Sequence, residues 1–300
     1  MTEWMNYRGQ WGGKIASGEE MWWTEPDYRL RRNAWARFWF RVDVRQHFLL
    51  RFWKKAGVVK PGRVIDYGCG SGGTTLNFAA VLGQTITGYD IFPTQLQIAR
   101  EFSEHPELKD LNCRFELLGE RGRIPVPDAS VDVIFSLDVL GHVPHIPDTL
   151  QAFSTALRPG GSVVLFTEST YSPDDRSLAA RLAAEGFDMT DAVPEHVSLF
   201  PREKLEQFFT EAGFDVLERY SANVGHFLFF PKDYVLMFRR SQGGMSASIR
   251  KWKLFASLWN ALSRIAPFYP WPFQVLRLGL THLFGRQAYG TGYFYHLRKK

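Results

Sequence analysis

From residue 63 onward, short apolar runs and helix-periodic segments take turns along the chain. Residues 63–66, 85–89 (closing in Asp90), 113–118, 130–137 and 162–167 are mostly apolar and bounded by Gly, Pro or Asp, the pattern of buried strands. Between them, residues 74–82, 93–103 and 146–157 carry helical spacing. The alternation predicts an α/β fold with a parallel, doubly wound sheet, and right-handed crossovers place every strand end on one rim. Residues 201–212 predict an amphipathic helix, 214–220 a sixth strand, and 292–297 the candidate last strand.

Two segments flank or interrupt this alternation. Residues 21–55 predict a helical stretch, because Trp35, Phe38, Trp39, Val42, Phe48, Leu49 and Phe52 recur at three- and four-residue spacing; Gly57 and Pro61-Gly62 end it. Its aromatics serve either as packing against the sheet or as a lid over a pocket, and the two roles are compatible. In residues 223–288, Trp252, Phe255, Leu258, Trp259, Leu262 and Ile265 fall on one face of a predicted helix over 251–265. Pro267, Pro270 and Pro272 break the chain before a further helix over 273–284. Residues 1–20 are polar, Gly-rich and expected to be mobile.

Composition adds two constraints. Apolar residues at 45% and charged residues at 22% suit a globular chain with a sizeable core. Cys69 and Cys113 are too few for a disulfide framework and are expected to be thiols in the cytoplasm, with the inner membrane surface as the alternative location. The first residues lack the apolar centre of a secretory signal, and no run of about twenty apolar residues predicts a spanning helix. Charge changes the picture more. Residues 56–238 hold 14 Lys/Arg against 25 Asp/Glu, whereas residues 239–300 hold 11 Lys/Arg and no acid. Such asymmetry points to an anionic partner or to a solvated basic face.

The chemistry centres on VIDYGCGSGGT, residues 64–74, in which Gly68, Gly70, Gly72 and Gly73 follow the first strand and precede a helix. Glycine admits φ > 0 and close approach of a ligand, and the helix N-terminus behind it offers free N–H groups. Gly68, Gly70 and Gly73 also satisfy the dinucleotide fingerprint, so the turn alone does not choose between cofactors.

The ordered series does choose. VIDYGCGSGG, GYDI, the pair Gly119-Glu120, IPVPDASVDVIFSLDVLGHV and LRPGGSVVLFTE, over roughly residues 60–220, resemble the motif series of class I S-adenosylmethionine-dependent methyltransferases. The resemblance implies a Rossmann-like seven-stranded doubly wound sheet with its last strand antiparallel, an N-terminal helical extension (1–58), a cofactor-binding core (59–222), a helical insertion (223–288) and the last strand (289–300). It implies S-adenosylmethionine as cofactor. Tyr67, Gly68, Cys69 and Gly70 would form the turn beside the methionine portion, with Asp66 holding its amino group. Asp90 would accept from the ribose hydroxyls, and Ile91 would flank the adenine. Glu120 and Arg121 would stand near the adenine amine, while Leu137 and Asp138 would face the sulfonium.

Methyl transfer to a hydroxyl calls for a base, and His142, His145 and His196 are the candidates, since imidazole titrates near neutrality. Glu195 is placed to orient His196. No Cys/His spacing suggests a metal site. The sequence SLDVLGHV stands where amine methylases of nucleic acid carry Asn/Asp-Pro-Pro-Tyr/Phe, so a nucleic-acid substrate is not expected. The expected reaction is methyl transfer to a small-molecule, glycan or lipid-linked acceptor, with oxygen the expected atom. N- or C-methyl transfer, and a non-catalytic membrane-surface protein that keeps the fold, are the alternatives. The insertion is a substrate cap, a contact with anionic membrane through residues 239–288, or an RNA patch.

Overall fold

The computed structural model describes residues 24–57, 62–188, 196–240, 246–265 and 271–300. The expectations placed on residues 1–20, Pro61, Glu195, Pro267 and Pro270 lie outside them. A 3-10 turn, Tyr28–Arg31, leads into α1 (Ala34–Val42) and α2 (Val44–Ala56). The helical stretch expected over 21–55 is therefore two helices. Asp43 leaves the helical region (φ −55°, ψ 128°), and its carboxylate accepts the Gln46 N–H at 3.1 Å, starting a new helix. Such a cap stabilises by about 1 kcal/mol, enough to fix the break where the apolar period runs on. Gly57, at φ 66°, ends α2 as expected.

The alternating core follows: β1 (Val64–Tyr67), α3 (Gly73–Leu82), β2 (Thr87–Asp90), α4 (Pro93–Ser103), β3 (Arg114–Leu117), β4 (Val131–Leu137), α5 (Ile146–Ala156) and β5 (Leu157–Glu168). Then come α6 (Leu178–Ala184), α7 (Arg202–Glu211) and β6 (Phe214–Ser221). Four helices separate β6 from the last strand: α8 (His226–Phe229), α9 (Pro231–Arg240), α10 (Ala247–Ile265) and α11 (Trp271–Phe284). β7 (Gly292–Lys299) closes the sheet.

The sheet order is β3-β2-β1-β4-β5-β7-β6. β1 to β5 pair in parallel, and β7 runs antiparallel to both β5 and β6. Successive side chains feed two cores because a strand alternates faces. Tyr293, Tyr295 and Leu297 join Leu150 and Phe153 of α5 and Leu205 and Phe209 of α7 on one side. Phe294, Val64 and Phe135 meet Phe48 and Phe52 of α2 and Leu76 of α3 on the other. The strands are thus apolar on both faces, which is why they appear as continuous apolar runs.

α2 is also where the insertion attaches. His282 Nε2 of α11 lies 2.8 Å from His47 Nε2, and the His282 ring packs 5.0 Å from Phe48. Buried Glu218 of β6 pairs with Arg51, Lys55 and Arg286, tying α2 to the segment after α11. A third small core, formed by Leu182, Phe187, Tyr234, Met237, Phe238, Ile249 and Ala256, joins α6, α9 and α10. Within α10 the apolar band is wider than the packed face. Trp252 packs inward, whereas Phe255, Leu258 and Leu262 are exposed.

Candidate active site

A cavity of about 760 Å3 opens where β1, β2, β4 and β5 end. Its floor is the glycine turn. Gly68 has φ 76°, and an added Cβ would lie 2.3 Å from Val139 Cγ2, so only glycine fits. The Gly68 and Cys69 N–H groups both donate to Tyr89 O, at 2.7 and 3.1 Å, pinning the turn to β2. At Gly70 (φ 52°) a Cβ would meet nothing within 4 Å, so the backbone is open there for a ligand. Tyr67 is buried, and its hydroxyl donates to Gly122 O at 3.0 Å. Cys69 is a buried free thiol whose pKa is pushed up by burial.

Two carboxylates frame the turn. Asp90 Oδ2 accepts the Gly70 N–H at 2.8 Å and Oδ1 accepts the Phe92 N–H at 3.0 Å. Burial raises its pKa against those donors, and its remaining lone pairs are available to hydroxyls. Asp66 accepts from Thr75 Oγ1 at 2.6 Å, and burial pushes it up to about 6. Gln95 is 1% exposed and lines the cavity, yet neither its Oε1 nor its Nε2 has a partner among the described residues. An orphaned buried amide beside Ile91, Phe92 and Leu118 is what a ligand with ring donors and acceptors would satisfy. The glycine cradle, a buried carboxylate with lone pairs to spare and an orphaned amide together fit S-adenosylmethionine.

The N-terminal segment crosses this floor. The Thr24 N–H donates to Ser71 Oγ at 3.0 Å, and the Ser71 hydroxyl donates back to Thr24 O at 3.1 Å. A Cβ on Gly73 would sit 1.9 Å from Thr24 O, so this glycine serves the crossing chain and not a ligand. Thr24, Arg45 and Gln46 line the cavity, whereas Trp35, Phe38, Trp39, Phe48 and Phe52 do not; Phe48 and Phe52 pack in the core under the sheet.

The remaining wall is a cluster of charged side chains. Asp138 has φ 56°, rare outside glycine, and pairs with Arg45 of α2. Burial and the nearby Glu168 carboxylate push Asp138 up to about 7 despite Arg45. Glu168, at the end of β5, is held below the usual carboxylate range by His196 and by the proton on Asp138, although burial opposes this. His196 Nε2 is 3.8 Å from Glu168 Oε1, and the His142 ring lies 4.5 Å from the His196 ring. His196 Nδ1 and Glu168 Oε2 are buried without a partner among the described residues.

The ligand atoms of His142, Glu168 and His196 lie within 4.8 Å of one another, a set able to hold a divalent ion. Spacing could not reveal it, because the three residues belong to distant elements. Arg45 already places one cation beside them, and a methylsulfonium would be another, so a third is electrostatically costly.

Asp66, Tyr67, Gly68, Cys69, Gly70, Asp90, Ile91, Leu137, Asp138, His142 and His196 all line this cavity. His145 does not. It precedes α5, is exposed, and its Nδ1 lies 2.9 Å from Asp148 Oδ1. Glu120 and Arg121 line a separate depression of about 270 Å3, and Leu118 takes the place in the main cavity. Sequence reasoning missed Glu168, Arg45 and Gln95. Glu168 carried a signal, as the acid ending LRPGGSVVLFTE on the same rim; the other two carried none.

A sequence model of the methyltransferase domain matches residues 31–219. The chain belongs to that family, the class I S-adenosylmethionine-dependent methyltransferases. It is 32% identical over 164 residues to 24-methylenesterol C-methyltransferase 2 of Oryza sativa subsp. japonica, a match covering 53% of this chain and 43% of that protein. It is 28% identical over 193 residues to the ubiquinone/menaquinone biosynthesis C-methyltransferase UbiE of Ectopseudomonas mendocina (strain ymp), covering 58% and 75%. Thus the chain spans less than half of the first relative's length. The fold matches a putative sarcosine dimethylglycine methyltransferase from Galdieria sulphuraria with TM-score 0.54 and 20% identity, over 98% of this chain and 97% of that one.

Proposed function

We propose that the protein transfers a methyl group from S-adenosylmethionine to a hydroxyl of a small-molecule, glycan or lipid-linked acceptor. The observation that carries this reading is the Glu168–His196 pair facing the cofactor cavity. The cofactor supplies an electrophilic methyl on a good leaving group, so the chain's work is alignment and proton removal. Glu168, ionised, favours the His196 tautomer with its proton on Nε2. That leaves Nδ1, buried and without a partner among the described residues, as the nitrogen with a free lone pair on a ring that lines the cavity, so the hydroxyl proton can pass to His196 as the oxygen–methyl bond forms. Arg45 fixes Asp138, whose carboxylate favours a neighbouring cation. A lipid-linked acceptor is supported by the exposed apolar and basic helices after β6.

Carbon is the second acceptor atom to weigh, because both relatives named above are C-methyltransferases. The decisive experiment incubates the full chain with 13C-methyl-labelled cofactor and fractionated cell extract. The reading predicts a labelled product whose methyl carbon shows the NMR shift of a methoxy group, made equally well in the presence of EDTA. A carbon-bound methyl would move the assignment to carbon, and loss of turnover with EDTA would replace the base by a metal.

A further inference from the structure

We propose that a second cavity, where α6 meets the start of the insertion and the chain leading into β7, binds a neutral ring bearing a single hydrogen-bond donor, the chemistry of a phenol. The cavity holds about 220 Å3. Tyr171 and Leu178 reach it from beyond β5, His226, Phe227 and Tyr234 from beyond β6, and Tyr289 from the approach to β7. None of these residues lines the cofactor cavity. The two sites are nonetheless neighbours in the sheet. Gly290 and Thr291 belong to the second wall, and both are bonded to Ser169, the residue after Glu168. The Ser169 N–H donates to Thr291 O at 3.0 Å, and its hydroxyl donates to Gly290 O at 3.1 Å.

The lining sets the chemistry of the occupant. It carries no charged side chain, so a charged ligand would lose its water without compensation. Asp175, Arg202, Asp233 and Arg277 stand near these rings, yet none of them lines the cavity. Tyr171, Phe227, Tyr234 and Tyr289 give the wall aromatic faces and edges, which favour a planar ring. Tyr234 and Phe227 already meet edge to face, with centroids 4.7 Å apart. His226 supplies the polar partner. Its Nε2 lies 3.6 Å from Asp233 Oδ2, which favours the tautomer with the proton on Nε2. Burial and Arg277 lower its pKa to about 4, so Nδ1 keeps its lone pair at neutral pH. That Nδ1 is buried without a partner among the described residues, and a buried acceptor is unfavourable until a donor reaches it. Asn223 Oδ1, by contrast, is already taken by the Thr291 N–H at 3.0 Å. A sugar would strip water from several hydroxyls at a largely apolar wall, whereas a phenol strips it from one. This inference stands independently of the methyl acceptor.

The test is ligand-observed NMR titration of the full chain with phenol, toluene, benzoate and methyl glucoside. Phenol should saturate with a Kd on the order of 1 mM, the range open to so small a ligand. Toluene should bind about tenfold more weakly, because it leaves Nδ1 without a donor. Benzoate and methyl glucoside should not saturate. Phenol should stay bound when S-adenosylmethionine is added in excess. His226→Phe should bring phenol down to the level of toluene and leave toluene unchanged. Ala179→Phe, which fills the cavity, should abolish both while the S-adenosylmethionine affinity and melting temperature are kept. Absence of saturable phenol binding, equal affinities for phenol and toluene, a preference for methyl glucoside, displacement of phenol by S-adenosylmethionine, or phenol binding untouched by His226→Phe would each overturn the proposal.

Discussion

Between residues 66 and 92 the cavity wall is mostly backbone: the Gly68 and Cys69 amides on Tyr89, and the Gly70 and Phe92 amides on Asp90. The opposite wall, where the proposed acceptor would sit, is made of side chains that arrive from far apart in the chain, Arg45, Asp138, His142, Glu168 and His196. The first wall is locally encoded and rigid. The second depends on the packing of α2, β4, β5 and the segment before α7. Such a division lets one cofactor serve many acceptors.

His196→Gln should lower kcat by about 100- to 1000-fold with little change in cofactor affinity, since it removes only proton transfer; a loss confined to KM would contradict that role. Asp90→Ala should do the reverse, weakening S-adenosylmethionine binding by about 10- to 100-fold in calorimetry. A smaller effect follows from Asp138, whose proton leaves at about 7. Ionised Asp138 favours a sulfonium, so cofactor Kd should fall by up to about tenfold as pH rises from roughly 6 to roughly 8. Asp138→Asn should abolish the slope.

The smallest effect lies outside both walls. Burial lowers His226 and His296 to about 4, below their ordinary 6.5. Stability from their neutral forms is full above about 6.5 and lost as pH falls through about 4. His296→Gln should flatten that acid limb by about 1 kcal/mol in thermal melts at two pH values.

How much of this was legible differs by wall. Strands were readable because two-sided burial leaves uninterrupted apolar runs, and the Asp66, Gly68 and Asp90 positions followed from the turn. The break at Asp43 was hidden because apolar spacing continues across it. Short α6 and α8 carry too few residues to show a period. Histidine identity alone could not separate His196, beside Glu168, from His145, which faces Asp148 at the surface. That distinction belongs to tertiary packing. Arg45 sits on a helix whose pattern reports only its buried face.

Ser221 at the end of β6 pairs with Tyr293 of β7, and the Ala222 N–H donates to Gly292 O at 2.9 Å. Everything from residue 223 to residue 291 therefore leaves and rejoins the sheet at a single hydrogen-bonded rung, as the tip of one very long hairpin. Loop-closure entropy grows only logarithmically with length, by about 0.6 kcal/mol per doubling. A tip so anchored is a natural graft point, where whole helices can be traded between lineages while the sheet, and the cofactor it holds, stay as they are.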